Sequence, residues 1–355
     1  NLSRLATPNL RWETTRQYDV GLDLGLLDDR ISLTADVYDK RTTDLLYDKQ
    51  VSYVTGFEDY PTNIGKFQNR GIEVSLDTRH SLGPFEVQLG GNVSANRSKV
   101  LDLGGDREFF LDGVNGSLPR YRPAAIVRVG EPLGNYYGWI WDGIFQTQAE
   151  VDASGQAGAR VGGMKLRDID GPDGVPDGRI DSFDRTILGN AQPDYLFAQT
   201  GVITYKSLSV SYILRGVQGF EVANLNREGM STPGASTNQL REVLNYWTPQ
   251  NPTNTMTALG VGPLDQMTSR WVEDGSFVRL QNLTLAWDVP SRLTTRMGIG
   301  QLRLYFSGQN LFTSTDYSWY DPEVSSRGTS DLDLGWDDSS YPGTKTYTLG
   351  WNVVF

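Results

Sequence analysis

The sequence predicts an all-β fold, a transmembrane antiparallel β-barrel with long extracellular loops, from three observations. Apolar and polar residues alternate with a period of two over long stretches. The connections between those stretches alternate strictly between short and long. The chain ends on an aromatic residue, Phe355, that closes an alternating segment.

The first hairpin sets Val20, Leu22, Leu24 and Leu26 against Asp19, Gly21, Asp23 and Gly25. After Asp28-Asp29 it resumes with Ile31, Leu33, Ala35 and Val37 against Ser32, Thr34, Asp36 and Tyr38. One face is apolar and the other polar. A second hairpin places Ile72, Val74 and Leu76 against Glu73, Ser75 and Asp77, then Phe85, Val87, Leu89 and Val93 against Glu86, Gln88 and Asn92. Further strands are expected at about Ala124–Val129, Gly134–Gln146, Asp194–Tyr205, Leu208–Val217, Ser276–Trp287, Gln301–Phe312 and Thr346–Phe355, eleven in all. In the ninth, the apolar parity switches from Val278 and Leu280 to Leu283, Leu285 and Trp287, so a β-bulge is expected near Gln281 or Asn282.

Short connections are expected at Asp28-Asp29, His80–Gly83, Gly130–Leu133, Lys206-Ser207 and Asp288–Gly300. Long ones fill about 48–66, 99–123, 147–193, 218–270 and 313–343. Outer-membrane barrels have this asymmetry, with short periplasmic turns and longer extracellular loops. The last strand alternates Tyr347, Leu349, Trp351, Val353 and Phe355 with Thr346, Thr348, Gly350 and Asn352. With Phe355 on the short-turn side, eleven traversals put residues 1–9 outside the cell. An odd count leaves two unpaired edges, which lipid does not tolerate. The sequence therefore reads as part of a barrel, the rest lying upstream or in another chain.

Composition fits this reading and removes others. The 355 residues carry 32 basic and 43 acidic side chains, a net charge of −11, no Cys and one His. Disulfides, thiolate metal sites and multi-histidine centres are excluded. The acidic balance argues against a nucleic-acid partner, because phosphate binding needs a basic face. A mean hydropathy of −0.41 looks soluble, yet a strand-built membrane protein also averages polar, since only every second residue meets lipid. No apolar run exceeds four letters, whereas a spanning helix needs roughly 20. The amino terminus shows no initiating Met and no signal-peptide pattern, as expected for a mature or partial chain or a cytoplasmic one. Tyr (17) and Trp (9) together outnumber Phe (13) two to one, which suits interfacial belts.

Several segments then carry a family resemblance. They are Asn9-Leu10-Arg11-Trp12-Glu13 with Asp19–Asp23, Asn63-Ile64-Gly65 with Asn69–Glu73, and Val129–Gly134 running into Tyr137-Gly138-Trp139. Downstream come Trp271–Leu280, Ser307–Phe312 and Tyr341-Pro342-Gly343. In order and spacing the chain resembles the C-terminal half of the SusC/RagA-like TonB-dependent outer-membrane transporters. The resemblance implies a 22-strand barrel in the outer membrane of a Gram-negative bacterium. It also implies an N-terminal plug domain with a TonB-interacting segment, absent here, and a SusD-like surface lipoprotein as lid. By that reading residues 1–355 are the C-terminal part of the barrel, with eleven strands here and eleven elsewhere.

Candidate sites are few. Asp168, Asp170, Asp173, Asp177, Asp181 and Asp184 crowd one long loop. Asp177–Asp184 fits positions 5 to 12 of an EF-hand-type loop, with Gly178 at the sharp turn, a backbone carbonyl from Arg179 and a closing carboxylate from Asp184. The first half does not fit, since starting at Asp173 puts Val175 in a ligand position. Hard oxygen donors make Ca²⁺ the expected ion, stiffening the loop; a solvated Asp/Gly turn is the alternative. The inward carboxylates Asp19, Asp23, Asp36, Glu73, Asp77 and Glu86 read as a hydrated lumen rather than a glycosidase pair, because they recur on every strand. Tyr136, Tyr137, Trp139, Trp141 and Phe145 are expected mostly in an interfacial belt. Tyr317, Trp319 and Tyr320 are the loop candidates for ligand or partner contact. His80 is expected in a turn and solvated, and Asn238–Trp247 as a helical stretch inside an outer loop. No catalytic residue is expected. The function that follows is active import of a bulky nutrient, an oligosaccharide or oligopeptide, driven through TonB. The competing class is a soluble extracellular calcium-binding β protein for adhesion or glycan binding.

Overall fold

The structure is a computed structural model that describes residues 7–50, 54, 56–57, 59–111, 124–236, 238–261, 267–326 and 334–355. Its frame is one nine-stranded antiparallel sheet in which every strand pairs with its sequence neighbour in the frame. In order these are β1 (Thr14–Leu26), β2 (Ile31–Thr43), β3 (Lys66–Leu82), β4 (Phe85–Asp102), β5 (Tyr195–Tyr205), β6 (Leu208–Gln218), β7 (Phe277–Asp288), β8 (Gln301–Thr315) and β9 (Thr346–Val354). The sheet is not closed. Within it β1 pairs only with β2, and β9 only with β8.

The connections sort onto two ends. Residues 27–30, 83–84, 206–207 and 289–300 make the short end, and 44–65, 103–194, 219–276 and 316–345 the long one. In the first turn Leu27, Asp28 and Asp29 take φ of 57°, 54° and 58°. Asp tolerates this left-handed region through local hydrogen bonding, Leu less so.

Register settles which side chains share a face. Val20 lies opposite Val37, Leu22 opposite Ala35 and Leu24 opposite Leu33, and the row continues as Val37–Ile72 and Ala35–Val74. That face carries exposed Leu, Val and Ile, and aromatics at Tyr18, Phe85, Tyr205, Trp287, Phe306, Tyr347 and Trp351. An apolar face left uncovered on nine consecutive strands is what a lipid-facing wall requires. The expected bulge is present, and Gln281 is the extra residue. Leu214 pairs with Leu280 and Ile213 with Asn282, so the parity change leaves Leu280, Leu283 and Leu285 all facing outward.

Two of the eleven expected strands are not in the frame, and the count of eleven is corrected to nine. Ala125–Arg128 and Asn135–Trp139 lie in the 103–194 connection, in a small sheet ordered Arg185–Asn190, Asn135–Trp139, Ala125–Arg128, Glu108–Leu111. Both are buried on both faces. Their sequences are short apolar runs without alternation, the pattern of a strand enclosed by protein rather than one between lipid and water. The short connection expected at Gly130–Leu133 is thus a turn inside a long loop. The strand number remains odd.

The long loops build a second layer. Glu221–Asn224 pairs antiparallel with Val272–Asp274 and parallel with Trp336–Asp337, joining the third and fourth long loops. A core made by three loops holds the layer together: Ala124, Ala125, Tyr136 and Ala191 from 103–194, Ala223, Leu225 and Met267 from 219–276, and Trp336 from 316–345.

Candidate functional site

The polar face of the sheet is the first component of the site. Asp19, Asp36 and Glu73 share it, Asp36 lying directly opposite Glu73, and Asp23 accepts a hydrogen bond from Thr34 Oγ1 at 2.7 Å. Tyr38 lies across Gly71 so closely that a Cβ there would meet the ring at 2.3 Å, and its hydroxyl donates to Asn96 Oδ1 at 3.1 Å. Near the long-loop end a cleft of about 610 Å³ opens between this wall and the loop layer. Asp19, Asp36, Glu73, Lys40 and Tyr38 line the wall side, and Leu133 and Gln192 the loop side. Its charge is acidic and its donors and acceptors are many, suited to a hydrated polar ligand.

A buried ion cluster lies further along the same inner face. Arg279, at the loop end of β7, donates to Asp321 at 2.5 Å, to Glu323 at 3.1 Å and through Nε to Thr313 Oγ1 at 3.0 Å, and it lies 5.0 Å from the Phe277 ring centroid. Arg215 reaches the other Glu323 oxygen at 2.5 Å. Arg279 and Asp321 are both buried, so desolvation is offset by the complete set of partners. The cluster ties the fourth loop to the inner wall.

In the loop layer Tyr136 is the central side chain. Its hydroxyl lies 2.8 Å from the Gly335 carbonyl, 3.2 Å from that of Glu221 and 3.3 Å from that of Leu334, and Trp336 packs edge-on at 5.2 Å. Burial drives the phenol far above its ordinary pKa. Glu221 accepts from the Asn190 amide at 2.7 Å. Its carboxyl is raised by desolvation, with Asp274 and Asp194 adding repulsion. Arg270 stacks between Trp141 and Trp271 at 4.9 and 4.8 Å, and burial lowers it to about 10 against the attraction of Glu242.

The residues singled out from sequence fall in different places. Tyr317 is a core residue: it is buried with Val217, Phe220, Val222 and Phe277 and donates to Asp337 at 2.6 Å. Trp319 packs partly on that core and meets Tyr320 edge-on at 5.1 Å, while Tyr320 is 75% exposed. Of the three, Tyr320 alone presents its ring to solvent. Tyr136, Tyr137, Trp139 and Phe145 are buried in the loop layer, and Trp141 lies within it, so the belt assignment is corrected. The outward aromatics of the frame occupy the belt positions instead. His80 is exposed and paired opposite Val87 near the end of β3. The stretch around 238–247 is a 3-10 helix over Arg241–Asn245 that buries Val243 within the outer loops, as expected of its place.

The Asp-rich loop is held by its own amides. Asp184, fully buried, accepts from Ile169 and Asp170 through one oxygen and from Asp181 through the other, at 2.8, 3.3 and 2.8 Å. Asp170, Asp177 and Asp181 accept from the Gly171, Arg179 and Phe183 amides, and Asp168 Oδ2 from Gly178 at 2.6 Å. Asp173 is exposed. Among the described residues no three carboxylates are gathered around one point as metal ligands. Asp168 Oδ1, however, is buried without a partner.

Comparison with known proteins agrees with this architecture. Residues 1–311 match the family described as TonB dependent receptor-like, beta-barrel. TonB-dependent receptor P3 of Formosa agariphila is 33% identical over 361 residues, covering 100% of this chain and 35% of that protein. TonB-dependent receptor SusC of Bacteroides thetaiotaomicron is 28% identical over 363 residues, 98% of this chain and 32% of that protein. The RagAB peptide transporter structure superposes with a TM-score of 0.81 at 24% identity, over 98% of this chain and 36% of that one, a likeness of fold. The chain thus spans about a third of the length of the curated relatives it matches. With an open meander of nine strands, a lipid-compatible outer face, a polar inner one and a family match over most of its length, the chain belongs to the TonB-dependent receptor-like β-barrel family, whose members lie in the outer membrane of Gram-negative bacteria.

Proposed function

We propose that this chain is the C-terminal part of the barrel of a longer TonB-energised importer. That importer carries a bulky polar nutrient, an oligosaccharide or oligopeptide, into the periplasm. The plug, the TonB-interacting segment and the remaining strands lie outside residues 1–355, and a SusD-like lipoprotein serves as the lid. The observation that carries the reading is the polar inner wall with its 610 Å³ cleft beneath the loop layer. Relatedness to TonB-dependent receptors such as SusC supports import in general, and the RagAB transporter with the same fold carries peptides. The test is uptake of labelled oligosaccharides and oligopeptides by cells expressing the full-length receptor. Uptake that requires TonB and co-purification with a surface lipoprotein are the expected results. Uptake independent of TonB, or none with either substrate class, removes the reading.

For the Asp168–Asp184 loop we propose a Ca²⁺ ion, with the partnerless Asp168 Oδ1 as the supporting observation. Asp170, Asp177 and Asp181 would contribute oxygens now turned to amides, and Arg179 its carbonyl. The ion would stiffen the loop and perform no chemistry. Calorimetry on the full-length receptor should give heat with Ca²⁺ that Asp168→Asn abolishes; a flat titration of the wild type leaves only an amide-held turn.

A further inference from the structure

We infer that Arg215 and Arg279 form a carboxylate-binding site on the inner wall, and that Glu323 of the fourth long loop occupies it in place of an acidic group on the ligand. The inference rests on the import reading and names the charge of its cargo. Register sets Arg215 on β6 directly opposite Arg279 on β7. Like charges so placed on a sheet face repel unless a counter-charge lies between them. The wall around them supplies none. Strands β5–β9 together contain three arginines and a single carboxylate, Asp288, which stands at the short-turn end 3.8 Å from Arg303. The counter-charges come from the loop.

The two loop carboxylates are held differently. The Asp321 side chain is 9% exposed and accepts from Arg279 and from the amides of Glu323 and Gly343, the last two at 3.0 and 3.1 Å. Glu323 is 38% exposed, and its carboxylate is held among the described residues by the two guanidinium groups alone. Arg215 lies 2.5 Å from one oxygen and Arg279 3.1 Å from the other. Opening a buried pair strands a charge in the interior, whereas an exposed pair contributes little. Glu323 is therefore free to leave while Asp321 keeps the loop on the wall.

The place it leaves is already arranged for an anion. The buried Phe277 ring lies 5.9 Å from the Arg215 guanidinium and 5.0 Å from that of Arg279, and Thr313 Oγ1 accepts from Arg279 Nε at 3.0 Å. Both forks are thus held in position, one for each oxygen of a carboxylate. The nearest of the acidic rows lies on β3 with Glu73, three strands away. At roughly 4.8 Å per strand that is about 14 Å along the wall, beyond the roughly 8 Å over which exposed charges act at physiological salt. An acidic group entering from the loop end therefore meets the arginines without opposition from that row.

The test is calorimetric binding by the full-length receptor in detergent, which needs no TonB and so reads the site separately from import. The probes are hexagalacturonate and its methyl ester, and hexaglutamate and hexaglutamine. Binding of one acidic probe or both, above that of the uncharged counterpart, is expected, and tells an acidic sugar from an acidic peptide. Glu323→Gln should tighten it by roughly tenfold, because the site no longer fills itself. Arg215→Gln should weaken it by at least about tenfold through the lost charge-assisted hydrogen bonds, and Arg303→Gln should match wild type. Equal binding of acidic and uncharged probes, no binding by Glu323→Gln, or equal weakening by the Arg303 and Arg215 variants overturns the site. A second measurement needs no variant: the wild-type unfolding temperature should rise with an acidic probe and not with its uncharged counterpart. Equal rises, or none, overturn the proposal. Uptake independent of TonB would remove the import reading and leave these binding results standing.

Discussion

Tyr136 shows how a single side chain can be misplaced from sequence and still be decisive in the fold. Its aromatic neighbours Tyr137, Trp139 and Trp141 suggest an interfacial belt, because one-dimensional composition does not distinguish lipid from a protein core. What distinguishes them is alternation, which Ala125–Arg128 and Asn135–Trp139 lack and the frame strands keep. Tyr136→Phe deletes the hydroxyl that serves carbonyls from two other loops, and should cost about 1–3 kcal/mol, read as a lower unfolding temperature of the loop layer. Asp321→Ala leaves the Arg279 guanidinium buried with Glu323 and Thr313 only. A loss near the low end of roughly 3–5 kcal/mol is expected from chemical unfolding of the full-length receptor. Glu221 gives a pH signature. Its folded-state pKa lies above the ordinary 4.5, so the native state holds its proton more firmly than the unfolded chain. Its contribution is fully present below 4.5 and is lost as pH rises through the raised value. Glu221→Gln should flatten the fall in loop-layer stability across that window; an unchanged profile would refute the assignment.

At the scale of elements, nine strands, the two kinds of connection and the bulge were legible, because each leaves a periodic or positional mark. The bulge is the sharpest case: Leu280, Leu283 and Leu285 can all face outward only because Gln281 is extra. Deleting Gln281 should turn every outward residue on one side of it into the lumen. Outer-membrane assembly, followed by heat-modifiable mobility on gels, is expected to fail, whereas Gln281→Ala should assemble normally. The loop strands were not legible as such. Their pairing partners lie in other loops, as with Ala223 and Trp336, and no local pattern encodes a partner 113 residues away. The role of Tyr317 was hidden for the same reason, since its core partners Val217, Phe220, Val222 and Phe277 are remote in sequence.

For the whole molecule, the open meander and the loop layer act as two connected bodies with different solvents, lipid and water outside the one and protein inside the other. The three-loop core predicts cooperative behaviour. Trp336→Ala, with a cavity cost of roughly 3–5 kcal/mol, should raise hydrogen exchange together in 124–128, 135–139 and 221–224, although only the fourth loop is altered. Exchange rising in the fourth loop alone would show that the loops move independently. The span of that core also has a consequence for biogenesis. Tyr136 and the Gly335 carbonyl are 199 residues apart, so the outer layer is among the contacts of greatest sequence separation in the chain. Closing so long a loop is entropically costly until intervening segments are ordered. The cap over the pore should therefore consolidate last, after β8 is in the wall and the stretch before β9 has crossed, leaving the lumen uncovered while the strands are still being laid down.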